Sequence, residues 1–296
     1  MSGTLASSPV DRKPPLILGV KRSTWRMHDP AAEDADAAFE TVRKKVLVRD
    51  KYTCRYCQMR TLREEDQTKN GKFFKGRFAG YFEVHHIDDD HHNNHPDNLL
   101  TVCPFCHSVF HCGNAGHREA GSIIWAPWIR QEDLNITVHV LFILMCFEYP
   151  NEAEIKIAEE SRTQDALKFS SEMGRAARER YESLQSFGDL AEKNLGAGMS
   201  NAAVLGESLM ALANRNESAY LRRSVFLGGA RFLPDFSYYL RPVRYWLQAN
   251  NYKQNMNLIH ADKLKSHYDR FEKMAQRFLC GDLVTDDGKS TTAGEM

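Results

Sequence analysis

Residues 81–111 read YFEVHHIDDDHHNNHPDNLLTVCPFCHSVFH and gather nearly every group in the chain able to hold a metal or move a proton. Glu83, Val84, His85, His86 and Ile87 alternate as a short strand does, which places a histidine pair at its end. Asn98 follows, and His107 stands directly behind the Cys-x-x-Cys pair of Cys103 and Cys106. A second such pair, Cys54 and Cys57, lies upstream in RDKYTCRYCQ. Two Cys-x-x-Cys pairs are the ligand set of a closed tetrahedral zinc site, because each lets two thiolates converge from one tight turn. The alternative is four reduced cysteines that never meet. Between the pairs lie a basic loop and the His-His strand, so the intervening chain reads as a functional insert.

The order His-His, Asn, His resembles that of the HNH endonucleases, whose ββα-metal motif is built on a treble-clef zinc fold. The resemblance implies that His85 ligates a divalent cation, His86 is the general base, Asn98 pins the loop behind the base, and His107 is a further ligand. His111, four residues after His107, falls on the same helical face and could complete the site. Phosphodiester hydrolysis needs an activated water and a cation on the phosphate oxygens, and a neutral imidazole takes a proton near pH 7 because its ordinary pKa is about 6.5. His86 could equally be a second ligand or a solvated neighbour, since adjacent strand residues point to opposite faces. His91, His92 and His95 sit among Asp, Asn and Pro and read as solvated loop residues.

Composition sets the limits. Lys plus Arg and Asp plus Glu both number 39, so contact with DNA would require a local basic patch. Hydrophobic residues make up 42% of 296, enough for a buried core. With four cysteines given to zinc, Cys112, Cys146 and Cys280 cannot all pair, which points to a reducing compartment. The opening MSGTLASSPVDRKPPL has no apolar signal region. The richest apolar run, residues 138–147, is about half of what a membrane span needs and reads as a helix buried on all sides, so no membrane insertion is expected.

These patterns predict an α+β, mainly α protein: a small zinc module followed by a C-terminal helical domain. Residues 1–16 form a disordered tail, 17–126 the zinc domain with its preceding strand and helix, 127–280 the helical domain, and 281–296 a second disordered tail. A strand is expected within residues 16–25 and a helix over 30–48, acidic early and basic late. Residues 60–80 interleave Arg63, Lys69, Lys72, Lys75 and Arg77 with Phe73, Phe74 and Phe78, either a nucleic-acid contact or an Asn70-Gly71 hairpin packed on the zinc module. From Gln131 on, five or six helices are expected, with Gly174 and Gly188 as weak points, a cap at Ser200 or Asn201, an aromatic and Arg-rich stretch over 228–247, and a last helix over 260–278.

The phrases STWRMHDP, KKVLVRDKYTCRYC, DNLLTVCPFCHSVF, GSIIWAPWIRQEDLNITVHVLF, KNLGAGMSNAAVLG and RFLPDFSYYLRPVRYW resemble, in the same order, the IcmJ/DotN family of type IVB secretion and conjugation systems. The match covers about residues 25–247. It implies a cytoplasmic subunit of HNH-like fold, held peripherally at the inner membrane through the secretion complex, that docks on the coupling ATPase beside other coupling-complex subunits. Members of that family serve mainly as zinc-bearing structural components and can lack the His-His pair. This chain keeps His85, His86, Asn98, His107 and His111, which raises a nuclease or DNA-handling role as the alternative. Zinc is expected at the four cysteines in either case, and zinc, nickel, manganese or magnesium at the histidines.

Overall fold

A computed structural model of the chain describes residues 13–20, 32–60, 81–90, 92–149, 152–160, 164–246, 282–284 and 290–292. Helices dominate these residues, with short antiparallel strands between them, as the sequence predicts. The basic and aromatic loop of residues 61–80, His91, Cys280, the last expected helix and most of both tails lie outside the described residues.

Helix α1 (Ala32–Arg49) buries Val46 and Leu47 and rests Phe39 and Val42 on the same core. Its last residue begins a latch. Arg49 Nε and Nη2 donate to the two carboxylate oxygens of buried Asp50, each at 2.9 Å, and Asp50 Oδ2 accepts the Thr101 N–H at 3.0 Å. Arg49 also donates to Pro96 O and Leu99 O, both at 2.7 Å. The chain then turns through Cys54 and Cys57, where the Cys54 N–H donates to Met59 O and the Gln58 N–H to Cys54 O.

Strands β1 (Glu83–His86) and β2 (Leu99–Val102) pair antiparallel, with Glu83 opposite Val102 and His86 opposite Leu99. A 3₁₀ turn (Pro96–Asn98) leads into β2, and helix α2 (Pro104–Phe110) leaves it. Cys103 is the N-cap of α2 and Pro104 fills its first turn, where a missing N–H costs nothing. A short helix, α3 (Cys112–His117), follows. Of residues 16–25, expected to form a strand or two, 21–25 lie outside the described residues and 16–20 pair with no strand. Gly19 instead donates to Val109 O and accepts the Cys112 N–H, satisfying backbone groups where α2 gives way to α3, while Leu16, Leu18 and Val20 are buried.

Beyond β3 (Gly121–Trp125), α4 (Gln131–Met145) is the helix expected to be buried all round, and Leu134, Val138 and Phe142 are inaccessible to solvent. Helices α5 (Glu152–Glu160), α6 (Gln164–Gln185) and α7 (Gly188–Leu195) follow. Gly188 does open a new helix, but Gly174 stays inside α6. A Cβ there would sit 2.5 Å from Glu148 N, so close packing rather than a bend requires the glycine. Asn201 caps α8 (Ala202–Arg215), accepting the Ala203 N–H at 2.8 Å, and α9 (Glu217–Leu221) comes next.

The expectation of helix alone after Gln131 fails at β4 (Ala230–Pro234), which pairs antiparallel with β3, Phe232 opposite Ile123. A five-residue segment such as ARFLP fits either period, and the unpaired edge of β3 decides for strand. Helix α10 (Phe236–Trp246) then buries Tyr239, Val243 and Trp246, so much of residues 228–247 is core. The β3–β4 pair and a continuous apolar core run across residue 126, packing the helical region on the region that carries the four cysteines. Near the C-terminus, β5 (Asp282–Val284) and β6 (Ser290–Thr292) form a small antiparallel ladder within the segment that composition alone reads as a tail.

Helices α3 and α8 touch through backbone. A Cβ added at Gly206 would lie 2.2 Å from Gly113 Cα, which no side-chain rotation relieves. Gly206→Ala should therefore destabilise the fold by about 1–3 kcal/mol, read as a lower denaturant midpoint. His139 on α4 provides a pH test. It is 2% exposed, neither ring nitrogen has a hydrogen-bond partner among the described residues, and burial pushes it down to about 3. Below about pH 6.5 the unfolded chain takes a proton that the folded chain refuses, so stability falls from there toward pH 3 with a slope approaching about 1.4 kcal/mol per pH unit. His139→Leu should flatten that part of the curve relative to the wild type.

Candidate metal centre

Two ligand sets meet on helix α2. The Sγ atoms of Cys54, Cys57, Cys103 and Cys106 lie within 4.8 Å of one another, with Cys57 and Cys103 at 3.6 Å, and all four side chains are buried. A tetrahedral ion with bonds of about 2.3 Å places its sulfurs roughly 3.8 Å apart, so the donors fit zinc in size and chemistry. Burial and the neighbouring sulfurs push the Cys103 and Cys106 thiols well up. At Cys54 burial also opposes the charge, but hydrogen bonds from Cys103, Cys106 and Cys57 outweigh it and hold the thiol well down. Four thiolates this close need a cation among them. No side of this cluster opens to water, which suits a structural ion.

The second set is His85, His107 and His111, whose nearest ring nitrogens also lie within 4.8 Å of one another. His85 comes from β1 and stacks on Phe110, ring centroids 4.1 Å apart. The rings of His107 and His111 stand 4.6 Å apart. Helix α2 ends at Phe110, so His111 occupies the junction with α3 rather than a further helical turn, yet its ring still reaches the cluster. His107 and His111 are only partly buried, and both line a cavity of about 520 Å³. Three imidazoles with an open side could hold a divalent cation and leave room for another ligand.

Glu83 was not anticipated as part of this site. Its Oε2 lies 2.9 Å from His107 Nδ1, which assigns that nitrogen as donor and leaves Nε2 for a cation. Burial raises its carboxyl, but the His107 imidazole beside it, with smaller contributions from His111 and Arg43, brings it down to about 2. The signal was present in the sequence, since Glu83 and His85 are two apart on one strand and share a face.

His86 is not brought into either cluster. It projects from the other side of β1, stacks on Phe39 at 5.0 Å, and places Nε2 2.9 Å from Asn94 Oδ1. Asn98 bonds within the loop that follows β1. Its Nδ2 donates to Asp88 Oδ1 at 2.8 Å and to Asn93 O at 2.9 Å, and its carbonyl accepts the Ile87 N–H at 2.8 Å. Burial acts against the Asp88 carboxylate, yet hydrogen bonds from Asn98, Asn93 and the Asp90 backbone hold it below its ordinary range. His92 and His95 are exposed, as expected of loop residues.

The cavity beside the histidines is basic. Arg43 from α1, Arg118 from the end of α3 and Arg241 from α10 line it, with Glu83 as the acidic residue among its walls. Among the described residues no helix is long and apolar enough to cross a membrane.

No protein-family model matches the chain. The chain is similar to DotN. That relative, the type 4 apparatus protein DotN of Legionella pneumophila, is 25% identical over 233 residues, which span 78% of this chain and 88% of its own.

Metal analysis should separate the two sets. His85→Ala is expected to lose metal only from the histidine cluster. Cys103→Ala should lose both ions, because Cys103 caps the helix that carries Cys106 and His107. Retention of a thiolate-bound ion by Cys103→Ala would remove the four-cysteine site.

Proposed function

We propose that this protein is a subunit of a type IV secretion or conjugation apparatus, docked on the coupling ATPase beside other coupling-complex subunits on the cytoplasmic side of the inner membrane. Its four cysteines hold a structural zinc in a treble-clef, HNH-like module, and the helical region supplies the docking surface. The observation that carries this reading is the extent of the similarity to DotN, 88% of that protein's length. The burial of all four thiols supports a folding role for the ion, because a closed site offers no position to a substrate. Affinity purification of the full chain from cells carrying the cognate system should recover a coupling ATPase, and His86→Ala should leave that recovery unchanged. Recovery of no apparatus component would defeat the assignment.

A second reading, a metal-dependent endonuclease acting on DNA, is favoured by the three-histidine cluster opening on an arginine-lined cavity. A cation held by His85, His107 and His111 would supply charge stabilisation at a phosphate. Arg43, Arg118 and Arg241 would orient the phosphodiester, and Glu83 would hold His107 in the ligating tautomer. His86 faces Phe39 and Asn94 on the other side of β1, so the general base expected there does not meet this cation, and the cation itself would activate the water. Asn98 would keep the loop after β1 in place. Plasmid nicking in magnesium, manganese or nickel, lost in His107→Ala with the thiolate-bound metal retained, is the expected result. Absence of cleavage with every one of these cations rejects the enzyme and leaves the assembly role standing.

A further inference from the structure

Two amides buried in α4 link β4 to the cysteine cluster by hydrogen bonds. Gln131 and Asn135 are 4% and 0% exposed and stand one helical turn apart. Asn135 Nδ2 lies 3.2 Å from Cys106 Sγ, and Asn135 Oδ1 lies 2.9 Å from Gln131 Nε2. The other end of Gln131 meets β4: its Nε2 donates to Phe232 O at 2.9 Å and its Oε1 accepts the Phe232 N–H at 2.8 Å. Both Phe232 backbone groups go to Gln131, so they face away from β3, and this side chain closes the free edge of the sheet.

The polarity of the chain of bonds is dictated from its far end. A backbone N–H can only donate, so Gln131 must turn its oxygen to Phe232 and its NH₂ toward Asn135. Asn135 must then present oxygen to Gln131 and NH₂ to the sulfur. Either amide flipped would place oxygen against oxygen or nitrogen against nitrogen in a dry interior, an arrangement that costs the full desolvation of each group. The sulfur is therefore given a fixed donor. A metal-bound thiolate is a better acceptor than a thiol, because a hydrogen bond to an ionised group is the stronger one.

We propose that Asn135, oriented by Gln131 from the Phe232 backbone, is a positioning residue that donates to the Cys106 thiolate, tightens the metal at the four-cysteine site and couples its occupancy to the β3–β4 sheet. The inference rests on the reading of the four cysteines as a metal site. Loss of this donor leaves more charge on Cys106, and protons then compete better with the ion for the thiolate.

The test uses the full chain. Zinc competition against a chelator should show about 10–100-fold weaker binding for Asn135→Leu and Asn135→Asp, the range of second-sphere substitutions. The sulfur-to-cobalt charge-transfer bands of the cobalt(II)-loaded protein should shift in both. Gln131→Leu should shift the bands in the same direction by less. Val138→Ala, on the same helix and 0% exposed, should lower stability without moving either readout. Should the Asn135 variants fail to fold, the wild type decides alone: loaded with cadmium-113, it should show scalar coupling between the Asn135 side-chain amide and the metal nucleus. Unaltered affinity and bands in folded Asn135 variants, an equal band shift in Val138→Ala, or no amide coupling in a spectrum that resolves cysteine coupling would each overturn the inference. A wild type that binds no metal defeats instead the reading of the cysteines on which it rests.

Discussion

Successive residues of an α-helix point about 100° apart, and α2 uses that rotation to serve three surroundings at once. Cys106 turns to the thiolate cluster, His107 to the histidine cluster, and Phe105 to the core, where it meets Tyr239, Phe142 and Trp246 with ring centroids 4.7, 5.7 and 5.6 Å away. A helix of seven residues is too short to be stable by itself. Its direction is held by what it carries: the cysteine cluster at one end, the β1–β2 hairpin beside it and the aromatic contacts with α4 and α10. The ligand sets and the helical region are consequently one mechanical unit, and a change in α4 or α10 bears directly on the metal ligands.

The two clusters differ in the way their proposed roles require. The cysteine sulfurs are enclosed, receive N–H donors from Cys106 and Asn135, and gain nothing from solvent access. The histidines lie against a cavity, with a carboxylate behind one of them and arginines along the wall. Enclosure suits a staple, whereas an open side suits an ion that meets something else.

The cysteine spacing and the His-His, Asn, His order were legible because each rests on short-range geometry: a tight turn for each thiol pair, strand alternation for the histidines, and the Asx-rich loop that Asn98 closes. The helix over α1, the buried α4 and the Asn201 cap were readable for the same reason, as periodicity and capping are local properties. Residues 16–20 and β4 were misread because their partners are distant in sequence. Gly19 serves the α2–α3 junction through its backbone N–H and C=O, and residues 230–234 are a strand because β3 offers an edge.

From the sequence alone followed which side chains could bind metal and in what sets, together with a mainly helical architecture around the two Cys-x-x-Cys pairs. Tertiary structure decided which of those side chains converge: His85 joins His107 and His111, while His86 turns away to Asn94 and Phe39. It also revealed Glu83 and Asn135, whose relevance depends on distances of 2.9 and 3.2 Å to residues on other elements. Ligand identity is written into residue type and spacing along the chain. Orientation around a ligand is set by packing between elements far apart in sequence, and no local pattern encodes it.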